Sequence, residues 1–240
     1  MKKILRTGSI LISLAIILTS VGTAFSADAT LGLDINSAYV WRGLTFNDGF
    51  VAQPSLDVTK GGFNVNVWGN YDIDDYDNTL DDGNFSEIDL TMAYSHSFDK
   101  LDLSVGIIEY LFPNGGESTT ELYCSASINI IEGLSAGIDY YYDVDLLQDF
   151  YVSTNIGYSI EINEKAGVGL SVSAGYAGNE QSAGPEEGFN DINVSLSAEY
   201  AITDTIGVSA NISHTDSLDD DVLPDQDTNT YGGISISCSL

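Results

Sequence analysis

Cationic residues are scarce in this chain. Its 240 residues hold seven Lys and Arg against 36 Asp and Glu. Three of the seven (Lys2, Lys3, Arg6) stand at the very start, so the rest of the chain has only Arg42, Lys60, Lys100 and Lys165. Phosphate binding needs clustered cations, so nucleic acid is excluded as a partner. Cysteine is as rare. Cys124 and Cys238 alone cannot build a disulfide scaffold or a Cys-rich metal cluster. With four Pro in all, there is no Pro-rich linker to divide the chain into domains. Long apolar runs are absent after residue 26. A spanning helix needs about 20 apolar residues, so the body of the chain cannot cross a membrane as a helix. A closed barrel is still open to it, because closure pairs every backbone N–H and C=O.

The first 26 residues read as a secretory leader. Lys2, Lys3 and Arg6 give a positive start, residues 10–21 an apolar core, and Ala24-Phe25-Ser26 a small-x-small cleavage site before Ala27. The expected organisation is a signal peptide over 1–26 and one outer-membrane domain over 27–240.

What fills that domain is alternation. In residues 190–200, Ile192, Val194, Leu196, Ala198 and Tyr200 share one parity, and Asp191, Asn193, Ser195, Ser197 and Glu199 the other. A period of two marks a strand with two unlike faces. About twelve such segments follow one another, at 30–42, 50–59, 63–72, 86–95, 101–110, 120–130, 134–142, 150–161, 166–176, 190–200, 206–213 and 228–240. Connections 60–62, 96–100, 131–133, 162–165 and 201–205 are short. Connections 43–49, 73–85, 111–119, 143–149, 177–189 and 214–227 are mostly longer. Short and long alternate, as in an up-and-down transmembrane β-barrel with tight periplasmic turns, long outer loops and an even strand number. This all-β, antiparallel arrangement of about 12 strands places both termini in the periplasm.

Aromatic residues sort with the connections. Tyr39, Trp41, Phe50, Tyr71, Phe85, Tyr110, Phe112, Tyr142, Phe150, Tyr176 and Phe189 stand where strands meet long loops. Phe63, Tyr94, Phe98, Tyr158 and Tyr200 stand at the other end. Two girdles are expected at the two membrane–water boundaries. Lys60, Lys100 and Lys165 fall in short turns, and the lipid face is expected to carry essentially no charge. A soluble β-sandwich also alternates, but it predicts neither girdles nor the loop rhythm. The two Cys fall on apolar faces of strands on opposite sides of the barrel, which excludes a bond between them. Adjacent Ile107 and Ile108 predict a bulge that shifts register in the fifth strand.

Ser37-Ala38-Tyr39-Val40-Trp41-Arg42-Gly43, then Gln53-Pro54-Ser55 and Trp68, resembles the TorF-type porin family of proteobacteria. The motif match covers residues 37–68; beyond it only length and strand rhythm agree. The resemblance implies an outer-membrane pore. It implies no solute and no site residues. Such barrels often end on an aromatic residue, whereas this chain ends in Leu240.

Strand parity sends Asp34, Asn36 and Arg42 inward from the first strand, and Gln53 and Asp57 from the second. It sends Asn64, Asn66, Trp68 and Asn70 inward from the third, and Glu87 and Asp89 from the fourth. Asp102, Glu121, Asp139, Asp191 and Glu199 follow round the barrel. Arg42 is the one cation of this set. Two roles are open to it: a selectivity residue facing carboxylates across a constriction, or a structural partner of one carboxylate. Trp68 either narrows the bore or stacks on a sugar-like solute. An acidic lumen predicts passive diffusion of small polar solutes, cations and neutral molecules ahead of anions. Expected partners are outer-membrane lipid, lipopolysaccharide and the barrel-assembly machinery. Hard divalent cations are weak candidates for the acidic loops, at Asp74, Asp75, Asp77, Asp81 and Asp82 and at Asp219, Asp220 and Asp221. No cofactor is implied. Two other functions fit the same barrel. One is a non-conducting surface or adhesion protein. The other is a hydrolase, for which only His214 beside Asp216 offers a catalytic pair, with no Ser-centred motif; the expectation is no enzyme.

Overall fold

The computed structural model describes residues 27–76 and 82–240, so the leader and the acids Asp77 and Asp81 lie outside the described residues. The strands are β1 (Asp28–Asn36), β2 (Tyr39–Trp41), β3 (Leu44–Asn47), β4 (Val51–Lys60), β5 (Phe63–Asp72), β6 (Phe85–Phe98), β7 (Leu101–Leu111), β8 (Thr119–Ile131), β9 (Leu134–Asp143), β10 (Phe150–Asn163), β11 (Ala166–Ala177), β12 (Gly188–Ala201), β13 (Ile206–Ser217) and β14 (Thr230–Ser239). Twelve of them, β1 and β4 to β14, form one closed antiparallel barrel with neighbours adjacent in sequence. Pairing of Thr30 with Ser239 through Asn36 with Gly233 closes the cylinder. β2 and β3 form a separate two-stranded hairpin.

The period of two explains why this sequence closes as it does. Val65, Val67, Leu90, Met92, Leu103, Val105, Ile138, Ile156, Leu170, Leu196, Ile212 and Ile234 project outward and are 39–65% exposed. So much contiguous exposed apolar surface is foreign to a water-soluble monomer and suits hydrocarbon. Along β11, the inward positions are Gly167, Gly169, Ser171, Ser173 and Gly175, small residues that leave room inside. No described helix is long and apolar enough to span a membrane; crossing belongs to the strands.

Outward aromatic rings adjoin one another in a ladder at the long-loop end. Tyr140, Phe150, Tyr176 and Phe189 lie ring to ring at 5.6–6.2 Å, and Tyr71 meets Phe85 at 5.3 Å. Phe63 meets Tyr94 at 4.8 Å at the other end. Cys124 and Cys238 are both free, on the outward faces of β8 and β14.

Six expectations are corrected. The first strand does not run to residue 42; it ends at Asn36, and residues 39–47 turn back as the β2–β3 hairpin. Tyr39 and Trp41 therefore leave the outer girdle, and the parity of β7 turns Tyr110 inward with them, Tyr39 and Tyr110 being buried there. β7 has no bulge: Ile107 pairs with Met92 and Ile108 with Thr91 in unbroken register, so Ile108 lines the interior. That unbroken register turns Glu109 outward, an exception to the uncharged lipid face. The Thr120 hydroxyl donates to its carboxylate at 2.6 Å, two residues from the strand end. His96 lies within β6 rather than in a turn, its ring 4.4 Å from that of Phe98. His214 lies within β13, which continues to Ser217, rather than opening a loop.

Candidate functional site

The hairpin is the centre of the interior. Its turn is Arg42-Gly43, with φ of 50° and 82°. Two successive positive φ values make the tight turn whose twist matches antiparallel strands. Gly tolerates this at no steric cost, and the site demands Gly for a second reason. A Cβ on Gly43 would lie 2.5 Å from Leu223 Cδ2 and 2.8 Å from Asp191 Cβ. Gly43→Val is expected to unseat the turn and to lower the melting temperature of the detergent-solubilised barrel, whereas Gly61→Val, in a short turn with open space around it, is expected to change it less.

The turn carries Arg42 into a built seat. Its guanidinium donates to both oxygens of Glu121 on β8, NH1 to Oε1 at 2.8 Å and NH2 to Oε2 at 2.7 Å. Such a fork is the strongest ion-pair geometry available to Arg. NH1 also donates to Gln181 Oε1 at 3.2 Å. The guanidinium carbon lies 4.1 Å from the ring centre of Trp41, 4.6 Å from that of Tyr141 and 4.4 Å from that of Tyr151. Tyr110 donates its hydroxyl to Glu121 Oε2 at 2.9 Å, so the buried carboxylate has several donors. Asn190 Nδ2 donates to the Arg42 carbonyl at 2.8 Å and to Asp191 Oδ1 at 2.9 Å. Tyr151 donates its hydroxyl to the same Asp191 oxygen at 2.7 Å.

The base of the hairpin is pinned separately. Tyr39 donates its hydroxyl to Glu87 at 2.9 Å, and Asn47 donates to Asp72 at 2.7 Å. An amide chain runs along the adjoining wall: Asn36 to Gln53 at 2.8 Å, Gln53 to Asn70 at 2.9 Å, Asn70 to Asp72 at 2.9 Å. From above, the loop after β13 closes down. Thr45 N–H donates to Gln226 at 2.9 Å, and Val222 and Leu223 are buried, Val222 against Tyr151 and Ala177. Gly184 N–H donates to the Val222 carbonyl at 2.8 Å, which ties that loop to the one before β12.

Below the seat lies a cavity of about 430 Å³. Arg42, Trp41, Trp68, Asn66, Asp89, Asp139, Asp191, Tyr141 and Tyr151 are in its wall. A second cavity, of about 580 Å³, lies at the short-turn end, where Asp34, Glu161, Glu199 and Lys165 meet. The parity list thus divides by height. Asn36, Gln53, Asn70 and Glu87 join the hairpin's pinning network, and Glu121 is the Arg42 partner. Asn66, Trp68, Asp89, Asp139 and Asp191 surround the upper cavity, and Asp34 and Glu199 the lower. Asp57 and Asp102 face inward near the short-turn ends of β4 and β7, Asp57 near the amide of Asn64 at 3.5 Å. Arg42 reaches the interior from the hairpin turn, not from a barrel strand. Trp41, Tyr110, Tyr141, Tyr151, Gln181 and Asn190 are missing from the list. Their signal was present for some: Gly43 between Tyr-Val-Trp and Leu-Thr-Phe is a turn signal, and the middle of Tyr140-Tyr141-Tyr142 takes the inward parity.

The loop acids serve their own backbones. Asp74 accepts from the N–H of Asp75, and Asp219 from that of Asp221, each at 3.0 Å. Among the described residues, no three His, Cys, Asp or Glu side chains come together in a metal-holding group. His214 and Asp216 share the outward parity of β13. Nδ1 of His214 pairs with the Thr230 hydroxyl at 2.8 Å, and Asp216 accepts from Ser217 N–H.

The sequence profile of Gcw_chp, described as a bacterial protein of unknown function, matches residues 21–222. The chain belongs to the Gcw_chp family. This is the family name the sequence supports; the TorF designation gains no match. No curated protein matches the chain. Among solved structures, this Gcw_chp chain is similar to KdgM porin, at 10% identity and a TM-score of 0.58, over 88% of this chain and 99% of that one. KdgM porin is also solved in complex with disordered oligogalacturonate. An outer-membrane channel from Pseudomonas putida F1 is similar at 7% identity and a TM-score of 0.59, over 89% and 95% of the two chains. NanC porin is similar at 15% identity and a TM-score of 0.52, over 89% and 98%. At these identities the likeness is one of fold: the Gcw_chp chain has the barrel of outer-membrane porins.

Proposed function

We propose that this Gcw_chp protein is an outer-membrane channel for passive diffusion of small polar solutes, admitting cations and neutral molecules ahead of anions. Export through the leader, insertion by the barrel-assembly machinery, contact with lipopolysaccharide and periplasmic termini belong to the same reading. One observation carries it. Asp89, Asp139 and Asp191 border the upper cavity, and the single cation there, Arg42, is already neutralised by Glu121. Inward carboxylates select cations. Likeness in fold to porins supports the channel. The polyanion held by KdgM porin is a poor fit to this acidic interior.

Reversal potential across a KCl gradient tests the selectivity. The expected sign is that of K⁺ over Cl⁻, and the double variant Asp89→Asn, Asp139→Asn is expected to move it toward zero. Anion selectivity in the unaltered protein would refute the proposal. A second reading has its own observation: the hairpin and two loops are tied across the outer mouth. If the folded barrel carries no current in planar bilayers, a non-conducting surface protein displaying acidic loops is the better description.

A further inference from the structure

We infer that the upper cavity is a binding site for an organic cation, a guanidinium or ammonium group carried on a small apolar body. This deepens the channel reading by naming the class of solute, and it rests on that reading for its physiological meaning.

Three features of the cavity point to this class. The first is charge. Three aspartates lie in the cavity wall and Glu121 adjoins it, but the one cation present is already committed to Glu121. The second is Asp89. Its Oδ1 is shielded from solvent, and its carboxyl group lies against that of Glu87. Two adjacent carboxyl groups repel each other when both are charged, and an arriving cation relieves that repulsion. The third is the wall itself. Trp41, Trp68, Tyr141 and Tyr151 all line the same space. Aromatic faces attract weakly hydrated organic cations, whereas a small inorganic ion keeps its water and gains less. The protein displays the chemistry in its own side chain. Arg42 sits against three of these rings with a carboxylate fork at its end. A volume of about 430 Å³ is of the size that holds small organic ligands. Asp139 on β9 and Asp191 on β12 add two further anions to the same cavity wall. Asp191 is fixed by Tyr151 and Asn190, and Asp139 by the Asn155 amide at 3.2 Å.

The test uses a property of the sequence. The chain has two tryptophans, and both line this cavity. Tryptophan emission from the folded, detergent-solubilised protein therefore reports occupancy directly, whether or not the barrel conducts. Two probes of nearly the same shape are titrated, butylguanidinium and the uncharged butylurea, with NaCl at matched ionic strength as reference. The expected result is a saturable change with butylguanidinium and none with butylurea or salt. Asp89→Asn with Asp139→Asn is expected to weaken binding about tenfold or more, as loss of charge-assisted bonds does. Asp34→Asn, in the lower cavity, is expected to leave it unchanged. An equal response to butylurea, no saturable response, or undiminished affinity in the double variant would overturn the inference. The comparison of the two probes needs no variant, so a misfolded variant leaves the test decisive. Cation-selective conductance without butylguanidinium binding defeats this inference alone; binding without conductance defeats the channel alone.

Discussion

Arg42→Ala is expected to raise single-channel conductance several-fold and to destabilise the barrel by about 3–5 kcal/mol, the cost of breaking a buried ion pair from one side. The guanidinium holds the hairpin tip to the far wall through Glu121, and three rings enclose it. Without it the tip loses its fork and its stacking together. The base stays pinned, because Tyr39 still donates to Glu87 and Asn47 to Asp72. The expected outcome is thus a hinged strap rather than an unfolded loop. Glu121 keeps Tyr110 and Gln181 as donors, which limits the penalty of its exposure to the freed space. Arg42→Lys is expected to fall between, since an ammonium cannot make the two-toothed contact or lie flat against the rings. Single-channel recording and urea unfolding in detergent check the two effects separately. An unaltered conductance in Arg42→Ala would show that the hairpin tip is not the constriction.

Leu196→Arg is expected to cost about 2–4 kcal/mol in a lipid bilayer, the penalty of a cation on the lipid face near mid-membrane. The adjacent Ser197→Arg is expected to cost much less. Leu196 and Ser197 are neighbours on β12, both are exposed, and both pair with β11 and β13 in unbroken register there. They differ only in the face they take. Leu196 pairs with Leu170 and Ile212 on the outside, and Ser197 with Gly169 and Asn211 on the inside. A water-soluble β-sandwich would keep the same order, its apolar face being a core, but there Leu196 would be buried, whereas here it is 54% exposed and the cost arises on entry into the bilayer. Equilibrium folding into vesicles measures both values. Equal costs would contradict an oil-facing exterior.

How far the residues alone reached is visible in the hairpin and in the twelve strands around it. A strand's face is a local property. Parity is carried by each residue's position relative to its neighbours, so Asp89, Asp139 and Asp191 were assignable to the interior without knowing what lay opposite. Loop rhythm is local too, and it orders the strands. Parity placed Arg42 inside as well, but as part of the first strand, whereas it arrives there on a hairpin turn. Tyr39-Val40-Trp41 continues the alternation of β1, and only the Arg-Gly turn with two positive φ values separates a longer strand from a hairpin folded inward. Tyr110 shows the same limit. Its place near a strand end suits a girdle, yet the parity of β7 turns its hydroxyl to Glu121.

Alternation and composition by themselves determined that this is a membrane barrel with an apolar outside and an acidic inside, because a strand shows its two faces to two solvents whatever its partners are. Tertiary structure alone decided that Arg42, Glu121, Gln181, Tyr141 and Tyr151 form one clasp. These residues lie up to 139 positions apart and meet only because ring closure brings β8, β9 and β10 round to face a loop from the first strand. A contact across a barrel is a property of its circumference, and no stretch of sequence contains it.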